Sequence, residues 1–205
     1  MTHRKNSPRS LLLASSLRCT AMGAGMLTTL LLATGCTAAS NQESVMDVIE
    51  QRDVVVSFVV DTTEQLTAGN WEANTGTASP QGCTLDNGEE GAAYTFKLWS
   101  PERSDDPAAD AQKIVEYWES LGTSTRVVDH GGSPVVYGTG GPVLRASFST
   151  DAAGETYRIG AIAKCAPGDA IELKREANEG RKDGERFPGD EYVPEENVDD
   201  VYRNQ

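Results

Sequence analysis

A charge-free run near the N-terminus separates an export leader from the part of the chain that folds. The run extends from Cys19 to Gly35, is 17 residues long and has apolar residues at its centre. The residues before it contain no acid and four basic side chains, Arg4, Lys5, Arg9 and Arg18. A basic segment, an apolar segment and a small-residue end are typical of an export signal. The fold must therefore be built from the residues that follow, outside the cytoplasm.

Cys36 follows the run directly, so its thiol is available for lipidation after export. The residues Ala33-Thr34-Gly35-Cys36 resemble the lipobox of bacterial lipoprotein precursors, with Ala33 where that motif usually has Leu. The resemblance implies cleavage before Cys36 and addition of a diacylglycerol and palmitate to it, at the outer face of the cell membrane. Two alternatives stay open. One is a plain secretory signal cut near Ala38 or Ala39, and the other is an uncut transmembrane helix, which needs about 20 apolar residues.

The remaining chain is the size of one domain and is strongly acidic. Removal of 35 leader residues from 205 leaves 170. Four of the 18 basic residues and none of the 31 acids lie in the leader, so 14 basic residues and a net charge of −17 remain. Nucleic acid carries the same sign of charge, which excludes it as a partner. Much of the acidity follows Gly168 and predicts a solvated tail.

Cysteine counting predicts a disulfide bond between Cys83 and Cys165. Of the four cysteines, Cys19 lies in the leader and Cys36 is assigned to the lipid. The remaining pair would face an oxidising compartment, where thiols pair. A metal site is the alternative, but two isolated cysteines with one histidine would make a poor one.

Apolar spacing predicts a long first helix over 41–67. Ser40 would cap it, with Glu43 reaching back, and Val45, Val48 and Ile49 begin its apolar stripe. The alternative is a strand over Val54–Val60, because this segment is rich in β-branched residues. A second helix is expected to begin at Pro107 and to end at Gly122.

The remaining pattern predicts strands and an α+β fold. Strands are expected at 92–100, 125–128, 134–137, 143–149 and 157–165, with a further short one at 71–75 and a short helix at 170–178. This order predicts an antiparallel sheet with the long N-terminal helix and the second helix packed on one face. The expected organisation is a signal peptide at 1–35, a lipidated tether at 36–40, a globular domain at 41–177 and an acidic, mostly disordered tail at 178–205.

No motif in the sequence predicts catalysis, a metal or a cofactor. His130 is the single histidine after the leader, and its glycine-flanked position is typical of an exposed turn. The Gly138–Gly141 segment lacks the lysine and the helix that a phosphate-binding loop requires. The acids near Asp86–Glu90 lack the spacing of a calcium loop. Catalytic, cofactor-binding and metal residues are therefore expected to be none, and an accessory enzyme using His130 is the alternative.

The tryptophans offer one further hypothesis about binding. Trp118 falls on the buried stripe of the second helix, and Trp71 is expected to anchor the segment before Cys83. Trp99 is out of phase with Phe96 and Leu98, so it faces the other side of its strand. Packing under a helix is the favoured interpretation, and an exposed ligand or partner surface is the other.

The domain resembles LppA-like lipoproteins of actinobacterial cell envelopes. The resemblance covers 40–167 and rests on the helix after the lipobox, the Trp71–Cys83 segment, the sequence Tyr117–Gly122 and the sequence Ala161–Cys165. It implies no catalytic residues. We therefore expect a membrane-anchored envelope lipoprotein with a non-enzymatic binding or scaffolding role, whose partner is an envelope protein or a small apolar ligand. An exported small-ligand or lipid carrier is the alternative.

Overall fold

A computed structural model gives the structure of residues 46–73, 76–152, 154 and 156–195. Within these residues, six strands form one antiparallel sheet in the order β1-β2-β6-β5-β4-β3. The strands are β1 (Ser79–Thr84), β2 (Glu90–Ser100), β3 (Ser124–Asp129), β4 (Pro134–Thr139), β5 (Arg145–Ser149) and β6 (Tyr157–Ile162). The helices are α1 (Val48–Thr63), α2 (Pro107–Ser120) and α3 (Ala170–Lys182), followed by a 3₁₀ turn at Asp190–Tyr192.

All three helices cover the same face of the sheet. The first helix packs on β2 and β6, the second on β3 and β4, and the third on β1. Alternate residues of each central strand are buried under them, as Phe96 and Leu98 of β2 and Ile159 of β6 illustrate. The α+β fold with an antiparallel sheet and helices on one face is therefore confirmed. No helix in the described part of the chain combines the length and apolar character needed to cross a bilayer.

The first helix is shorter than the sequence predicts. It spans 16 residues and begins at Val48, because the Asp47 carboxylate accepts the N–H groups of Ile49 and Glu50 at 2.8 Å each. The Glu50 side chain accepts the Asp47 N–H in return, at 3.1 Å, which completes a capping box. The predicted helix over 41–67 is thus wrong at both ends, and the cap predicted at Ser40 lies outside the described residues. The alternative strand at Val54–Val60 is also wrong.

Trp118 connects the helices to the sheet. Its side chain is fully buried, its ring lies 5.5 Å from that of Phe58 in α1, and its Nε1 donates to Thr62 Oγ1 at 3.0 Å. The ring also lies over Gly138 of β4, where an added Cβ would be 3.0 Å from the indole. The predicted buried position of Trp118 is confirmed, and Gly138 is required because no side chain fits beneath the ring.

A disulfide bond closes the other end of the sheet. Cys83 on β1 is joined to Cys165, and their Cα atoms are 6.0 Å apart. Gly91 of β2 makes room for the bond, because a Cβ there would lie 2.9 Å from the sulfur of Cys165 and 2.6 Å from the carbonyl oxygen of Ala166. The predicted pairing therefore joins edge strand β1 to the segment that follows β6.

The segment after 178 is ordered as far as residue 195, which differs from the predicted disordered tail. The helix α3 continues to Lys182, and the Arg181 guanidinium pairs with the Asp190 carboxylate at 3.0 Å. Both side chains are at least 95% buried, and the Phe187 N–H also donates to Asp190. Val193 is buried in the core. The sequence analysis did not predict this order because the segment has few apolar residues, and those few pack on the domain. Residues 196–205 lie outside the described part.

Removal of the disulfide bond should destabilise the domain. We expect the Cys83→Ala/Cys165→Ala double variant to lose about 2–4 kcal/mol of unfolding free energy, because the bond closes a loop with a sequence separation of 82. Either single replacement should cost a similar amount, since each removes the same bond. Urea unfolding measures the loss, and non-reducing peptide mapping shows the bond. Two readily labelled thiols in the folded, exported wild type would contradict the prediction.

Removal of the buried ion pair should release the segment that follows α3. Asp190→Ala leaves the Arg181 charge buried without this partner, so we expect a loss of about 3–5 kcal/mol and faster proteolysis between 183 and 195. Glu179→Ala is the matched control, because Glu179 pairs with Arg175 at the exposed surface and should cost less than about 0.5 kcal/mol. Equal losses in urea unfolding of the two variants would contradict the buried role of Asp190.

Candidate functional site

The face of the sheet opposite the helices carries a concentration of basic side chains. Each of four strands contributes one to this face, namely Lys97 of β2, Arg158 of β6, Arg145 of β5 and Arg126 of β3. No aspartate or glutamate occupies a strand position on it, although the chain has 31 acids and 18 basic residues. We call these four residues, with Trp99, Tyr137, Ser147 and Gly160 between them, the basic face.

The four cations of the basic face have no acidic partner among the described residues. The ion pairs found in the described part of the chain are formed by other side chains. Two of the arginines are instead held against aromatic rings. The Arg158 guanidinium lies 5.1 Å from the ring centre of Trp99, and that of Arg126 lies 4.8 Å from the ring centre of Tyr137. Such contacts orient a guanidinium without neutralising its charge, so both remain available to an anion.

A depression lies at the centre of the basic face. Its volume is about 320 Å³, and its lining includes Lys97, Arg145, Arg158, Tyr137 and Ile162. Gly160 and Ser147 are paired across β6 and β5, so two small residues form its floor. A second depression of about 400 Å³ adjoins it and shares Tyr137 and Arg145. We call the first of these the central depression.

Trp99 does not lie under a helix, so the favoured sequence interpretation is wrong. It is on the uncovered side of β2, opposite Arg158 of β6, and is half-buried by that arginine. Its Nε1 is buried and has no hydrogen-bond partner in the described part of the chain. The backbone of Trp99 also pairs with Glu72, a bridge that lies within the strand predicted at 71–75, of which residues 74 and 75 are outside the described part of the chain. The other interpretation, a tryptophan on a binding surface, fits this position.

An apolar groove lies on the opposite, helical side. It has a volume of about 340 Å³ and lies between α1 and α2, lined by apolar side chains with acids at its rim: Asp53, Val54, Ser57, Phe58, Asp61, Tyr117, Leu121 and Pro142. Burial, together with the charges of Asp61 and Glu64, raises the pKa of Tyr117. The groove is open along its length. It can therefore accept an apolar group.

A buried carboxylate connects α2 to the sheet. Asp110 is 1% exposed, and its oxygens accept hydrogen bonds from Ser104 Oγ at 2.5 Å, Lys113 Nζ at 2.7 Å and Tyr157 Oη at 2.9 Å. Burial alone would raise the pKa of Asp110, but the hydrogen bonds from Lys113, Ser104 and Tyr157 outweigh it and hold the pKa below its usual value. With these partners the carboxylate acts as a structural acceptor.

The histidine and the glycine segments are turn residues. His130 is exposed between β3 and β4, where its backbone N–H donates to Ser133 at 3.2 Å. Gly140 and Gly141 have φ of 80° and 72° in the turn between β4 and β5. Of the Asp86–Glu90 segment, residues 86–89 form the turn between β1 and β2, and Glu90 begins β2. Among the described residues, no three histidine, cysteine or carboxylate side chains are close enough to hold a metal ion.

The sequence analysis predicted one functional residue, Cys36, and did not predict the basic face. Cys36, the predicted lipidation residue, lies outside the described residues. The basic face was missed because its four cations are separated by up to 61 positions. A signal was present in the strand pattern, since Lys97 and Arg158 each alternate with buried residues of their strands. Comparing the charges at the outward positions of all strands would have found it.

Comparison with known proteins gives no family assignment. The chain matches no protein-family model and no curated protein. Among solved structures, it is similar to the crystal structure of a DUF4853 family protein from Actinomyces odontolyticus, with 13% sequence identity and a TM-score of 0.37. That similarity covers 79% of this chain and 81% of the other. At this level it assigns neither a family nor a function.

Loss of the Asp110 carboxylate should destabilise the domain in a pH-dependent way. We expect Asp110→Ala to cost about 2–4 kcal/mol at pH 7, because Tyr157 and Ser104 lose a charged acceptor. Because the folded pKa is lowered, this contribution is present above the unfolded pKa and is lost as pH falls through the folded pKa. Urea unfolding at pH 7 and in acid, beside the exposed control Asp105→Ala, measures the difference. A pH-independent loss would contradict the lowered pKa.

Proposed function

We propose that this protein is a lipid-anchored lipoprotein of the bacterial cell envelope with a non-enzymatic binding role. The observation that carries the binding role is the basic face, where Lys97, Arg145 and Arg158, which have no acidic partner among the described residues, line a depression in an otherwise acidic chain. Such an arrangement is costly in self-repulsion unless an anion neutralises it. Binding is therefore the function that best accounts for these residues.

The anchoring part of the proposal is supported by the sequence of the leader. A cysteine directly after a basic segment, an apolar run and small residues fits lipid attachment at Cys36. Two or more acyl chains anchor a protein stably to a membrane. The domain would then present its basic face in the space outside the cytoplasmic membrane.

A non-enzymatic role is supported by the placement of the reactive side chains. His130 is exposed in a turn, and Asp110 is fully engaged in structural hydrogen bonds. The hypothesis of a small-ligand carrier is supported by the groove between α1 and α2, which has a volume of about 340 Å³ and a mostly apolar lining. An accessory enzyme using His130 is the less supported alternative.

Loss of Cys36 should release the protein from the membrane. We expect Cys36→Ala to move it from the detergent phase to the aqueous phase, because each buried CH₂ of a lipid adds about 0.8 kcal/mol of membrane affinity. Intact mass spectrometry of the wild type should show the added lipid on Cys36. His130→Ala is the matched control and should stay with the membrane. A wild-type protein that is aqueous and carries no lipid mass would overturn the anchoring proposal.

A further inference from the structure

We infer that the central depression binds an anionic saccharide, that is, a sugar bearing carboxylate or phosphate groups. The inference rests on the proposed function as a binding protein and names the ligand class for that site. It combines the charge of the basic face, the volume of the depression and the hydroxyl groups around it.

The charges in the depression match carboxylates or phosphates. Arg145 and Arg158 present planar guanidinium groups, which recognise either anion through paired hydrogen bonds. Lys97 lies across Gly160, where an added Cβ would be 2.9 Å from the Lys97 Cγ. The glycine therefore lets the lysine stem lie along the sheet, and Lys97 is one of the residues that line the depression.

The shape and the remaining lining match a sugar ring. The central depression has about 320 Å³, and the adjoining one has about 400 Å³, so together they offer room within the usual range of ligand sites. Ser147 and Tyr137, which carry hydroxyl groups, are among the residues that line the central depression, and Thr139 is among those that line the adjoining one. Hydroxyl groups can both donate and accept hydrogen bonds, as the hydroxyls of a sugar require.

The geometry disfavours other anionic partners. An added peptide strand would need the unpaired backbone of a sheet edge, whereas the depression lies over the central strands β6 and β5. Single-stranded nucleic acid would stack its bases on free aromatic rings, but arginines lie over Trp99 and Tyr137. An anionic bilayer would favour protruding apolar residues, and among the described residues of this face only Ile162 and Tyr137 are exposed large hydrophobics.

Direct binding measurements with defined sugars test the inference. The exported protein, purified from the cell fraction that holds it, is titrated by calorimetry with trigalacturonate and with mannose 6-phosphate. Neutral galactotriose and mannose are the uncharged controls. We expect at least one acidic sugar to bind at least tenfold more tightly than its neutral counterpart, with weaker binding at high salt. The preferred acid distinguishes carboxylate from phosphate recognition.

Matched variants locate the binding to the central depression. Lys97→Ala/Arg145→Ala should weaken binding of the acidic sugar at least tenfold, because charge-assisted hydrogen bonds are among the stronger ones. Lys174→Ala/Lys182→Ala removes the same charge from exposed positions of α3 and should leave the affinity unchanged. Ser147→Leu fills the depression without changing its charge and should also abolish binding. Thermal unfolding of each variant checks that the domain is folded.

Several outcomes would overturn the inference. Equal binding of acidic and neutral sugars would do so, as would an unchanged affinity in folded Lys97→Ala/Arg145→Ala. Binding to phosphatidylglycerol vesicles or to oligoglutamate, with none to either acidic sugar, would assign the basic face to a membrane or a peptide instead. The lipid at Cys36 is measured separately, so a failure of sugar binding is distinguishable from a failure of the anchoring proposal.

Discussion

The burial of Trp118 between two helices and the sheet is the contact on which the rest of the domain depends. The indole packs against Phe58, donates to Thr62 and lies over the bare backbone of Gly138. A buried tryptophan contributes about 3–5 kcal/mol, which is a large share of the stability of a small domain. This contact brings α1 and α2 to the same face of the sheet, and so leaves the other face uncovered.

One-sided coverage gives the two faces of the sheet different chemistry. The helical side contains the apolar core, with the Asp110 carboxylate as one of its buried polar groups. The uncovered side has small, polar and basic residues, and two of its arginines are oriented by aromatic rings. Since antiparallel strands alternate their side chains between faces, the same strands build both the core and the candidate binding surface.

Two contacts outside the apolar core hold edge strand β1 and the segment after α3 in place. The disulfide bond joins edge strand β1 to the chain after β6, and the Arg181–Asp190 pair holds the segment after α3 against the domain. A buried ion pair gains little net energy over apolar residues, but it is costly to break. Both contacts therefore restrain segments that pack on the sheet whose other side is the basic face.

The sequence by itself determined the fold class, most of the strands, the second helix and the disulfide pairing. Each of these follows from local periodicity or from counting, as with the alternation of Tyr94, Phe96 and Leu98 or the two cysteines left after the leader. The sequence pattern did not predict strand β1, because Pro80 and Gly82 have low strand propensity, although both are tolerated at a sheet edge. Only the tertiary structure decided where α1 begins, that 178–195 is ordered and that four distant cations share one face. Those outcomes depend on the order of strands in the sheet and on side chains far apart in sequence, which no local pattern contains.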